Sequence, residues 1–219
     1  MRLWGTIVIA ALMILPGAAA AYTGSLLSTD GGLVGTGNWI ITGPTYIEWF
    51  VTQNVDTSWH YEYVFGHPEG ETSHFILEVS HNFTENDIFN ASGGIGGYDV
   101  DWFAAGGSSN PGMPEDVYGI KFDATSGSVT AFSFDSFRVP VWKDFFAKDG
   151  EAGGLGTNAA WNAGFTAGDI DPLDAASNGS VAYHILAPDS QTPPIPEPST
   201  LLLLGSGLLG SVAYFRRRR

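Results

Sequence analysis

The chain has 219 residues and no cysteine, which excludes disulfides, thiolate nucleophiles and cysteine-held zinc or iron–sulfur clusters. Its formal charge is −14, but Arg2 and Arg216 to Arg219 sit at the ends, so the body keeps Lys121, Arg138, Lys143 and Lys148 against 22 of the 23 acids, a net −18. Such a surface repels phosphate backbones and argues against nucleic acid as a partner; it suits solubility outside the cell or contact with divalent cations.

Met1-Arg2 gives a short positive start, Leu3 to Leu15 is apolar apart from Gly5 and Thr6, and Pro16-Gly17 breaks the run before Ala18 to Ala21. That order predicts a cleavable signal peptide over residues 1–21, cut after Ala20 or Ala21. The apolar stretch is too short for a full bilayer span.

The body, residues 22–190, is dominated by two-residue alternation, the period of a half-buried strand. Ile47, Trp49 and Val51 share one face; Phe75, Leu77, Val79, His81 and Phe83 share another. Tyr118, Ile120 and Phe122 align, as do Thr130, Phe132, Phe134 and Ser136, and finally Val181, Tyr183 and Ile185. Gly, Pro, Asn and Asp clusters separate these runs. Short helices are expected over residues 85–91, 141–148 and 158–167, and loops over 93–97 and 106–112. The sum is an all-β domain, a single antiparallel β-sandwich of jelly-roll type, with 26 of the chain's 29 aromatic residues to fill its core.

His60, His67, His74 and His81 recur every seven residues, a spacing that throws successive side chains to opposite faces of a strand. His60 and Glu62 share a face, as do His74 and Glu78; pairing of their two strands through the 66–73 turn would converge four metal ligands. Asp169, Asp171 and Asp174 gather three carboxylates in a loop and are the candidate calcium ligands, since calcium takes six to eight oxygens from such loops. Asp99 and Asp101 lie on one strand face. No G-x-S-x-G elbow, H-E-x-x-H or P-loop is present, and no acid pair has a fixed separation. A non-enzymatic protein without a resident cofactor is therefore expected, with bound Ca2+ as a side reading. Trp39, Trp49, Trp59, Trp102, Trp142 and Trp161 include candidate sugar-stacking platforms. A carbohydrate-binding module is thus the first alternative and a glycoside hydrolase the second.

Thr192 to Thr200 is a stiff proline-rich spacer, residues 191–198 forming the linker proper. Leu201 to Phe215 follows, about 22 Å long as a helix at about 1.5 Å per residue, against a hydrocarbon core about 30 Å thick. With Ser199 and Thr200 it gives a marginal membrane helix over 199–215. Arg216, Arg217, Arg218 and Arg219 should stay cytoplasmic by the positive-inside rule, leaving the body outside. The signal peptide demands the same orientation.

Pro196-Glu197-Pro198-Ser199-Thr200, the short leucine-rich span and the terminal arginines together resemble the PEP-CTERM sorting signal of Gram-negative bacteria that make extracellular polysaccharide. The resemblance implies recognition by an exosortase, a multi-pass membrane enzyme that processes its client near the Pro-Glu-Pro element. By that resemblance Pro196, Glu197 and Pro198 are the sorting motif and Arg216 to Arg219 the membrane stop. The inner membrane is then a transient station before the cell surface or matrix, with extracellular polysaccharide as the expected surroundings.

Overall fold

In the computed structural model the described residues are 20–124, 127–149 and 158–189. The predicted signal peptide up to residue 19, the Pro-Glu-Pro element, the membrane segment and the arginine cluster lie outside them. Among the described residues no helix is long and apolar enough to cross a membrane.

The alternation read from the sequence builds the first sheet. In β3 (Tyr46–Gln53) and β4 (Trp59–Gly66), Ile47, Trp49, Val51, Tyr61, Tyr63 and Phe65 are fully buried while Glu48 and Glu62 face water. The hairpin between them is tied by the Asp56 carboxylate, which accepts hydrogen bonds from the Ser58 amide at 3.1 Å and from its hydroxyl at 2.6 Å. That is the local bonding that makes aspartate a turn residue. With β1 (Ala21–Leu27), β6 (Phe89–Gly93) and β9 (Val129–Ser136), the sheet runs β1-β3-β4-β9-β6, every neighbour antiparallel.

The second sheet runs β2 (Leu33–Thr36), β12 (Ala159–Asn162), β11 (Phe145–Asp149), β5 (Thr72–Glu78), β8 (Val117–Ala124) and β7 (Ile95–Phe103), again antiparallel. A two-stranded ribbon, β10 (Pro140–Lys143) with β13 (Ile185–Pro188), completes the fold. The inner faces of the two large sheets meet ring to ring: Phe122 to Phe132 at 4.5 Å, Phe75 to Phe132 at 5.2 Å and Phe65 to Phe145 at 6.0 Å between centroids. Each such side chain contributes roughly 1.5–3 kcal/mol by burial alone, so the core does without cross-links. Buried phenols are satisfied: the Tyr61 hydroxyl donates to the Arg138 carbonyl at 2.8 Å and Tyr63 to that of Leu186 at 2.7 Å.

The outer face of β5 and β11 is also covered. Ile76 and Phe146 pack with Met113, Val117 and Phe165 in a second apolar cluster, which explains why Phe75, Ile76 and Leu77 follow one another without a polar residue between them. This double burial defeats the helices expected from the sequence. Residues 141–148 form parts of β10 and β11, and residues 158–167 form β12 followed by turns. Of 85–91 only Glu85–Asp87 is helical, a single 3-10 turn capped reciprocally by Thr84 and Asp87. The expected 93–97 loop is instead strand, broken at Gly94 alone. Gly93 adopts φ 102, and a Cβ there would lie 2.4 Å from the Ala131 carbonyl oxygen, so only glycine makes that corner.

Candidate functional site

At one end of the second sheet several chain segments bring charged side chains under cover. Glu78 closes β5, Lys143 closes β10, Asp144 bridges to β11, and Asn162 closes β12. Asp169 and Asp171 come from the segment after β12, and His184 immediately precedes β13. The Lys143 ammonium donates to Glu78 at 3.1 Å and is paired with Asp171. Asp144 accepts from the Asn162 amide nitrogen, while Asn162 Oδ1 accepts from the Phe145 amide at 2.9 Å. Glu78 also accepts from the Asp144 amide at 3.2 Å.

His184 is built in with unusual care. The four-residue turn Val181 to His184 closes with a 2.9 Å amide-to-carbonyl bond, and its central residues Ala182 and Tyr183 have φ 48 and 63. Two successive left-handed residues other than glycine or asparagine store strain. Gly164 leaves the room: a Cβ there would meet the Ala182 oxygen at 2.4 Å and the His184 ring at 2.7 Å. The ring's Nδ1 faces the carbonyls of Ala182 at 3.0 Å and Val181 at 3.3 Å. Carbonyls only accept, so Nδ1 carries the hydrogen. Nε2 then points the other way, 3.4 Å from Asp144 Oδ1 and 3.3 Å from Asp169 Oδ2. It is buried and makes no hydrogen bond.

Four carboxylates, Glu78, Asp144, Asp169 and Asp171, thus face one lysine. Burial pushes Glu78 up to about 7 in spite of Lys143, with Asp171 and Asp144 adding to the rise. Burial likewise lifts Asp144 to about 7, against the hydrogen bond from Asn162. For Lys143 burial works downward, but Glu78 and Asp171 outweigh it and hold the ammonium above its usual range. The lysine therefore stays charged, and part of the surplus negative charge is relieved near pH 7 by protonation of Glu78 and Asp144.

Of the loop aspartates singled out in the sequence, Asp169 and Asp171 reach this cluster. Asp174 is exposed and lines a neighbouring cavity of about 220 Å3 with Val139, Trp142 and Lys143. The sequence missed Asp144 and His184. The expected convergence of His60, Glu62, His74 and Glu78 does not occur, because β4 and β5 belong to different sheets. His60 of β4 pairs with Asp135 of β9 at 2.7 Å, and His74 with Asn110 at 3.1 Å. Asp99 lies 3.9 Å from Lys121 on the β7–β8 face.

Among the tryptophans, Trp39, Trp49, Trp59 and Trp142 are core, whereas Trp102 is 54% exposed. The inward row of β7 ends at the rim with this ring, flanked by His81 at 4.6 Å and Tyr118 at 5.7 Å. His81 in turn lines a cavity of about 400 Å3 with Glu78, Ser80, Asn82 and Lys143, so Trp102 adjoins that cavity through His81.

Residues 194–219 match the PEP-CTERM protein-sorting motif. No curated protein and no solved structure matches the chain.

Proposed function

We propose that this protein is a non-enzymatic, surface- or matrix-directed β-sandwich, delivered by an exosortase into the extracellular polysaccharide layer of a Gram-negative bacterium. The sorting motif at 194–219 implies export and recognition by exosortase, and it is the observation that carries the reading. The body fits that route. It is cysteine-free, strongly acidic and held by two facing aromatic layers, so its folding needs no oxidation step after translocation. Cleavage of the leader after Ala20 would leave β1 whole. The proline-rich segment would then hand the body to the processing enzyme as an accessible stalk.

Glu78 and Asp171 as the working pair of a hydrolase are disfavoured by Lys143. Its ammonium stands between Glu78 and Asp171, in the space where a scissile glycosidic bond would have to lie between two working carboxyls. Sugar binding is favoured by one observation, the exposed Trp102 ring adjoining the polar cavity through His81. An aromatic face offers an apolar platform to a sugar, and Ser80, Asn82 and Glu78 supply hydrogen-bonding groups nearby.

Deleting the exosortase in the native host tests the sorting reading. The full tail should then persist on a membrane-held chain; normal release of a trimmed protein from such a strain would refute it.

A further inference from the structure

We propose that Asp144, Asp171 and His184 bind one divalent cation of the zinc class, with Asp169 beside the imidazole as a neighbouring carboxylate. One donor atom from each of the first three lies within 4.8 Å of the other two. The independent observation is the His184 ring. Its side chain is 3% exposed, its Nδ1 hydrogen is spent on backbone carbonyls, and its Nε2 faces the carboxylates without a hydrogen bond. A metal-bound histidine is oriented in this way, with the far nitrogen donating to a carbonyl so that the near one presents its lone pair.

Distance and charge agree with that assignment. Bonds of about 2.0–2.2 Å at tetrahedral angles set neighbouring donors about 3.4 Å apart. Nε2 stands 3.4 Å from Asp144 and 3.3 Å from Asp169. Asp171 gives one oxygen to Lys143 and keeps a second for the ion. A dication balances carboxylates that a single lysine leaves unbalanced. The class of metal follows from the donors: a buried nitrogen with a few carboxylate oxygens suits zinc and its neighbours in the transition series. Calcium wants six to eight oxygens and longer bonds. Asp174 is thereby left out, and the loop Asp169 to Asp171 becomes one wall of the site rather than a self-contained calcium loop. A bound ion would fasten that loop to the β10–β11 corner and to the start of β13, joining three segments distant in sequence. This role stands whether or not the sorting reading does.

The test uses the full chain in detergent, stripped with a chelator and titrated with Zn2+ by calorimetry. One ion should bind per chain, with a rise in Tm, and X-ray absorption at the zinc edge should show one imidazole nitrogen among oxygen ligands. His184→Gln and Asp171→Asn should each weaken binding by at least the factor of about 100 that loss of even an outer partner can cost. Asp174→Asn and His60→Gln should bind as the parent does. A folded parent chain that takes up no stoichiometric Zn2+ would overturn the proposal, as would an all-oxygen zinc shell or saturation by Ca2+ alone. The absorption spectrum of the parent decides the point even if His184→Gln does not fold.

Discussion

His184 Nε2 and Asp144 Oδ1 stand 3.4 Å apart with both side chains almost wholly buried, brought together by a strained turn on one side and the β10–β11 corner on the other. Gly164 is the clearance that permits this pairing. Gly164→Ala would drive a methyl group into the Ala182 carbonyl and the imidazole. The expected cost is about 1–3 kcal/mol, the usual range for overpacking, read as a lower urea midpoint with an unchanged m-value. Alanine at Gly168, which has open space around it, serves as a contrast for glycine replacement but carries its own φ 78 strain.

His74 gives the body an acid-sensitive element away from that corner. Burial lowers its pKa from 6.5 to about 4, with Lys121 and Lys148 pushing the same way and Asn110 and Asp123 opposing. The folded state thus resists a proton that the unfolded state accepts. The contribution is complete above pH 6.5 and drains away as pH falls from 6.5 towards 4, amounting to about 3 kcal/mol if the whole shift counts. His74→Gln, which never ionises, should flatten the stability profile across that window relative to the parent. Parallel curves for the two proteins would show that His74 is not the group responsible.

Trp102 tests the sugar-binding reading at little risk to the fold, because more than half of it is already in water. Trp102→Ala should abolish retardation of the protein in gels cast with the host's own exopolysaccharide while leaving Tm within about 2 °C, as a surface change of under about 0.5 kcal/mol implies. Equal migration of the parent chain with and without polysaccharide would remove this reading.

The sandwich's inner faces were legible because one side of each strand is wet or meets a different layer: Ile47, Trp49 and Val51 alternate with Glu48 and Phe50. The β10–β11 segment was not. Phe145, Phe146 and Ala147 are buried on both sides, and a strand covered on both faces loses the period that identifies it. Pairing of β11 with β5 leaves no local trace either, since register between distant strands is not written in either one alone.

The charged corner shows the same limit. Asp169 and Asp171 were recognisable as a loop of carboxylates, but the partners that complete it come from elsewhere in the chain. Asp144 looks like a surface residue beside Lys143, and His184 carries only one local sign: a polar ring placed directly before the apolar run Ile185 to Ala187. The face-sharing pairs His60 with Glu62 and His74 with Glu78 pointed to strands that belong to different sheets. At the C-terminal tail the opposite holds, because its order of Pro-Glu-Pro, apolar span and arginines is linear information and was readable at once.

Intact-mass spectrometry of the protein recovered from the native host's surface and medium tests the central claim most directly. The account predicts a chain beginning at Ala21 or Tyr22 and ending near Pro198, without Leu201 to Phe215 or the four arginines. A full-length chain of 23.3 kDa in the cytosol, with its leader still attached, would contradict it.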